Sequence, residues 1–108
     1  MSEFKELEQK VVQWAYDRNL YAESTNTTRW GKFLEEVEEL IEALFPDNIE
    51  DLSPEEIKIE SGDVLVTMIN GLRSYGLDLE MCLEAAYLKI KDRTGRMENG
   101  SYVKEEDL

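Results

Sequence analysis

The chain has 108 residues, 42% of them hydrophobic, with 12 Lys and Arg set against 25 Asp and Glu, for a formal charge of −13 and no histidine. This length holds a single domain over residues 1–108, and the charge excludes a general nucleic-acid binder, whose phosphate partner demands a basic surface. The lone cysteine, Cys82, excludes an internal disulfide framework and points to a reducing compartment.

Helical periodicity dominates from the start. Phe4, Leu7, Val11, Trp14 and Ala15 recur at spacings of three and four, which predicts an amphipathic helix from about Glu3 to Arg18. The opening Met1–Glu6 lacks the apolar core of a signal peptide, and no apolar stretch nears the ~20 residues of a membrane span. The expectation is a cytoplasmic protein with neither membrane nor nucleic-acid partners. Asn19 to Asn26 is polar and aperiodic, and reads as a loop. Asn26, Thr27 or Thr28 can cap a second helix, since a short oxygen side chain satisfies the first free N–H groups. Its apolar face is Trp30, Phe33, Leu34, Val37, Leu40, Ile41 and Leu44, and it ends before Pro46.

Ser53-Pro54-Glu55-Glu56 predicts the next start: Ser53 as cap, Pro54 in the first turn and Glu56 completing a capping box. This third helix runs to about Tyr75 and stops at Gly76. Asp78 caps a fourth, with Leu79, Cys82, Leu83, Ala86, Tyr87 and Ile90 as its apolar face and Gly95 as its end. Cys82 reads as a small apolar core residue. Asn99-Gly100 marks a turn, Ser101–Val103 a short extended piece, and Lys104–Leu108 a frayed end. The class is all-α: an antiparallel four-helix bundle with a short irregular tail over residues 96–108.

Two carboxylate pairs stand out, Glu36 with Glu39 and Glu60 with Asp63, each spaced i, i+3 and so facing one way on its helix. Two helices presenting such pairs can pool oxygen ligands around a hard cation, which magnesium or manganese prefers. The absence of histidine excludes a zinc-type or His-dependent iron site. In a chain this acidic, Glu35–Glu39 alone is a weak signal and reads first as a solvated helix face. The second pair is more telling. Glu60, Asp63, Thr67, Asn70 and Ser74 form one narrow polar stripe on a helix otherwise flanked by Val64, Leu65, Val66, Met68, Ile69 and Leu72. A carboxylate there is costly unless paired or metal-bound; the alternative is that the stripe faces water. Gly62, inside the same helix, costs about 1 kcal/mol against alanine, which close approach of another helix or a phosphate would offset.

The pattern Glu35-Glu36-x-x-Glu39, twenty residues, then Glu60-x-x-Asp63 resembles the MazG-like all-α nucleoside triphosphate pyrophosphohydrolases. Lys32-Phe33-Leu34, Leu40 and Gly62-Asp63-Val64-Leu65 frame the two motifs in the same way. The segment Lys91-Asp92-Arg93-Thr94-Gly95-Arg96-Met97-x-Asn99-Gly100 resembles the end of short members. The resemblance covers about Trp30 to Lys104. It implies Mg²⁺-dependent (Mn²⁺ as substitute) cleavage of a (d)NTP to (d)NMP and pyrophosphate, with Glu36, Glu39, Glu60 and Asp63 as metal ligands. It also implies Glu35 as the catalytic group that orients or deprotonates water.

Beside these, Lys32, Asn70, Lys89 and Arg93 are the candidates to bind substrate. Lys89 and Arg93 share one helix face, and compensation of the helix C-terminal dipole is the alternative role for them. Trp14, Trp30 and Tyr21 are candidates to stack a base, although a tryptophan at helical spacing more often packs a core. The implied assembly is a homodimer or homotetramer, in which the basic tail reaches a neighbour's site. The rival reading is a non-catalytic acidic interaction or inhibitor protein that occupies a partner's basic groove.

Overall fold

The structure, a computed structural model, describes residues 2–108. Five helices precede a small hairpin: α1 Glu3–Asp17, α2 Leu20–Glu23, α3 Asn26–Leu44, α4 Pro54–Leu72, α5 Leu79–Ile90, β1 Gly95–Glu98 and β2 Ser101–Lys104. Single 3-10 turns occupy Ile49–Asp51, Arg73–Tyr75 and Glu105–Asp107. The all-α class expected from the periodicity is the class observed.

The caps show why the elements start where they do. Ser53 accepts from Glu56 N at 3.3 Å with Pro54 in the first turn, and Asp78 accepts from Met81 N at 2.7 Å. At Ser53 only this half of the expected capping box forms. For α3 the cap is Thr25, one residue earlier than expected. Its hydroxyl accepts from Thr28 N and its own N–H donates to Thr28 Oγ1 at 2.9 Å, so two threonines complete a reciprocal box. The expected loop Asn19–Asn26 contains the one-turn helix α2, entered through Asn19 at φ 60°, a left-handed conformation that asparagine tolerates.

The α4 helix ends at Leu72 and continues as the 3-10 turn Arg73–Tyr75, which stops at Gly76 as expected, with that glycine at φ 70°. Gly95, by contrast, does not end α5, which stops at Ile90. Gly95 opens β1, where a Cβ would clash with the Val103 carbonyl oxygen and the Tyr102 ring. The tail is therefore ordered beyond expectation. Asn99 (φ 51°) and Gly100 (φ 82°) turn β1 onto β2, pairing Gly95 with Lys104 and Glu98 with Ser101.

The central unit is α3 against α4. Glu36 meets Glu60 and Asp63, while Trp30 meets Gly71, so the two helices run antiparallel. Trp30 lies so close that a Cβ on Gly71 would be 2.8 Å from its indole, and it meets Phe33 edge-on at 5.4 Å. Helix α1 packs on α4 and holds the start of α5 through a buried glutamate. Glu8 Oε1 accepts from Leu79 N at 2.9 Å, beside a Lys5–Asp78 ion pair and a bond donated by Ser2 Oγ to Glu80. Beyond that clasp α5 has no buried residue, and Cys82 is only partly covered. The only buried apolar residues described are Ala15, Ala43 and Ile69. The Cα radius of gyration is 17.2 Å, against about 13 Å for a compact chain of this size. No described helix is long and apolar enough to cross a membrane.

Candidate active site

The antiparallel pair brings both carboxylate motifs to one place. Oxygen atoms of Glu36, Glu60 and Asp63 lie within 4.8 Å of one another. Glu36 is buried, Glu60 half-buried and Asp63 exposed. Glu36 Oε2 and Glu60 Oε2 are out of contact with solvent and have no hydrogen-bond partner. Two buried anionic oxygens left bare are costly, and the three carboxylates together are an all-oxygen donor set that could hold a hard divalent cation. The middle of the polar stripe of α4, Thr67 and Asn70, is buried, whereas Asp63 and Ser74 at either side of it are exposed.

Glu39, one turn after Glu36, lies outside the trio but touches it. The neighbouring Glu36 carboxylate, by hydrogen bonding and then by its charge, pushes the Glu39 carboxyl above the ordinary glutamate range; desolvation and Glu60 add to the shift, and Lys32 opposes it. Lys32 reaches Glu36 at 3.2 Å and Glu35 at 3.4 Å, and these two partners raise its own pKa. Glu35 itself is exposed and is not part of the trio.

Next to the carboxylates, toward the start of α3, lies a cavity of about 250 Å³ lined by Leu20, Ser24, Thr28, Arg29, Lys32, Thr67 and Asn70. Two of the expected substrate-binding residues, Lys32 and Asn70, thus share one pocket. Tyr21 stands behind Asn70 and donates its hydroxyl to Oδ1 at 2.8 Å. Burial raises the Tyr21 pKa, while the Arg73 and Arg29 charges oppose the rise. Lys89 and Arg93 on and after α5 neither line this pocket nor pair with any described acid.

Of the aromatic candidates, Trp30 is committed to packing on Gly71. Trp14 is half exposed with the Arg18 guanidinium 4.5 Å above its ring. Arg29 was not singled out by sequence reasoning. An arginine in the first turns of a helix opposes the helix dipole, and that mismatch was the available signal.

A family model described as phosphoribosyl-ATP pyrophosphohydrolase matches residues 1–89. No curated protein and no solved structure matches the chain.

Proposed function

The chain belongs to the phosphoribosyl-ATP pyrophosphohydrolase family, within the MazG-like all-α superfamily, and from that premise we propose that it is a magnesium-dependent pyrophosphohydrolase converting a (d)NTP to (d)NMP and pyrophosphate. The family fixes the broader class: a pyrophosphohydrolase, a hydrolase of phosphorus-containing anhydrides, acting on a nucleotide triphosphate-like substrate. The observation that carries the finer reading is the pair of bare buried oxygens, Glu36 Oε2 and Glu60 Oε2, in a trio with Asp63.

In this reading Glu36, Glu39, Glu60 and Asp63 hold Mg²⁺, with Mn²⁺ as substitute. The bound ion supplies charge neutralisation at phosphate oxygens and a more acidic water. Lys32 positions Glu36 and Glu35 while presenting its charge to the substrate. Glu35 accepts the proton of the attacking water or orients it. Asn70 contacts the substrate from the pocket floor. Lys89 and Arg93, which pair with none of the carboxylates of their own chain among the described ion pairs, act on the triphosphate of a neighbouring copy in a homodimer or homotetramer. The exposed apolar surface supports such an assembly, and the lone Cys82 supports a cytoplasmic setting. The rival reading, a non-catalytic acidic interaction protein, does not account for carboxylates turned between two helices.

The test is incubation with magnesium and a panel of nucleoside triphosphates plus phosphoribosyl-ATP, with products resolved. Nucleoside monophosphate and pyrophosphate should appear, vanish with EDTA, and fall by about 100-fold or more in Glu60→Gln. Full activity in that variant overturns the site assignment. Turnover confined to phosphoribosyl-ATP overturns the (d)NTP reading.

A further inference from the structure

We propose that the cavity between Arg29 and Asn70 is a ribose subsite. Its mixed lining of hydrogen-bond acceptors and donors holds the 2′,3′-diol of a ribonucleotide, so that the protein favours ribonucleoside over 2′-deoxyribonucleoside triphosphates. The proposal rests on the pyrophosphohydrolase reading of the adjoining carboxylates and narrows its (d)NTP to the ribo form.

The first support is placement. Thr67 follows Asp63 by four residues on α4 and Lys32 precedes Glu36 by four on α3, while Asn70 and Arg29 lie seven away from the same two carboxylates. At 1.5 Å per residue the cavity therefore spans about 6–10 Å from the carboxylates along the two helices. Lys32 lines it and also reaches Glu36 at 3.2 Å, so the two sites are contiguous. The sugar is the part of a nucleotide bonded to the reacting phosphate, and it falls in this range when that phosphate sits at the carboxylates. At about 250 Å³ the cavity is smaller than the roughly 300–1,000 Å³ of sites that enclose a whole ligand, and it suits one ring of it.

The second support is the lining, which separates the three parts of a nucleotide. No aromatic side chain lines the cavity, so a base finds no ring to stack on. Ser24 Oγ donates to the Leu20 carbonyl and Thr67 Oγ1 to that of Val64. With their protons committed, both oxygens remain as acceptors, which an anionic phosphate, itself an acceptor, does not satisfy. The donors come from α3 and α4. Asn70 Oδ1 accepts from the Tyr21 hydroxyl at 2.8 Å, which fixes the amide and leaves its N–H₂ without a described partner. Arg29 donates from one terminal nitrogen to Asn26 Oδ1 at 3.1 Å, and its Nε is buried with no acceptor. An unmet buried donor is costly and calls for a partner. A hydroxyl donates and accepts at once. A vicinal diol therefore gives its two protons to Ser24 and Thr67 and accepts from Asn70 and Arg29, and loss of the 2′-hydroxyl leaves one of these pairs unmet. Tyr21, which acts through Asn70, is a positioning residue.

The test is calorimetric binding, in magnesium, of the uncleavable α,β-methylene triphosphates of adenosine, guanosine, cytidine and uridine, each beside its 2′-deoxy form. The proteins are wild type, Asn70→Ala and Tyr21→Phe. For every base that binds, the ribo form should bind about tenfold or more tightly than its 2′-deoxy partner. Asn70→Ala should bring that ratio within about threefold. Tyr21→Phe frees the amide to rotate without removing it, and should lower the ratio while leaving the magnesium-induced Tm shift intact. If Asn70→Ala does not fold, Thr67→Val, which keeps the side chain's shape and removes an acceptor, carries the same expectation. Equal binding of ribo and deoxy forms, or a ratio unchanged in the variants, overturns the proposal. A ribo preference in binding without cleavage of any parent nucleotide overturns the pyrophosphohydrolase reading and leaves this one standing. Cleavage of ribo and deoxy parents at equal kcat/KM does the reverse. Failure of every analogue to bind overturns both.

Discussion

Glu39 is the residue whose chemistry depends most on what fills the site. Its pKa is raised by Glu36 and, to a lesser degree, by Glu60, so folding of the metal-free protein shifts this carboxyl toward its protonated form relative to the unfolded chain. The sign follows from linkage: a carboxyl raised by folding contributes stability that is complete below its unfolded pKa and is lost as pH rises through the raised folded value. Glutamine mimics the protonated carboxyl at every pH. Without divalent ions the Tm of the wild type should therefore fall relative to Glu39→Gln as pH rises above the ordinary glutamate value, about 4.3. Magnesium should reverse the order near neutral pH by replacing the proton. Thermal melts of both proteins at pH 4 to 8, with and without magnesium, check this; a gap between them that ignores both pH and metal would remove Glu39 from the ligand set. Glu35→Gln separates the two roles assigned to neighbouring glutamates. It should lower kcat by about 100-fold while leaving the magnesium-induced Tm shift intact, whereas Asp63→Asn should lose both activity and shift with the fold retained.

Among the elements, the α3–α4 pair sets the site, and its spacing is held by the indole of Trp30 on Gly71. Gly71→Ala places a methyl where no room exists, so overpacking should cost about 1–3 kcal/mol and should lower magnesium affinity by spreading the helices that carry the two motifs. Chemical denaturation together with metal titration tests both effects. The glycine reads as a weak point in an isolated helix, and its use becomes visible only when the partner helix is in place.

The same division between local and nonlocal signals runs through the whole chain. Ser53, Asp78, Gly76 and Asn99-Gly100 were legible because their backbone bonds close within a few residues. Helix α2 was not, since four residues are too few to show a period. Nor was the Thr25 cap, because a threonine at the third position stands where the pattern expects Glu or Gln. The i, i+3 carboxylate pairs were legible as helix geometry, but their meeting is a product of packing. The pocket's arginine was hidden because its value lies in what faces it from α2 and α4.

At the scale of the whole molecule, the single chain does not account for its own apolar surface. Leu83 is 71% exposed on α5 and Leu65 45% exposed on α4, and a Cβ on Gly62 would meet nothing from other elements within 4 Å although a helix-interior glycine costs about 1 kcal/mol. Gly62 lines a groove with Phe4, Leu7, Ile59 and Leu65, an unoccupied seat for another helix between α1 and α4. In the proposed assembly a second copy fills this groove and brings a basic segment, including Lys89 and Arg93, toward a chain whose net charge is −13. The protein at micromolar concentration should therefore sediment as a dimer or larger. Leu65→Asp with Leu83→Asp should shift it to a monomer that keeps helical ellipticity but unfolds at lower denaturant, since the stability contributed by association is lost. Activity adds the decisive contrast. If the basic residues act across the interface, Lys89→Ala with Arg93→Ala should raise KM without changing the sedimentation coefficient. Mixing that variant with Glu60→Gln should then restore part of the activity, because each copy supplies what the other lacks. Sedimentation as an active monomer would confine the whole site to α3 and α4 and leave the basic residues after α5 as surface charge.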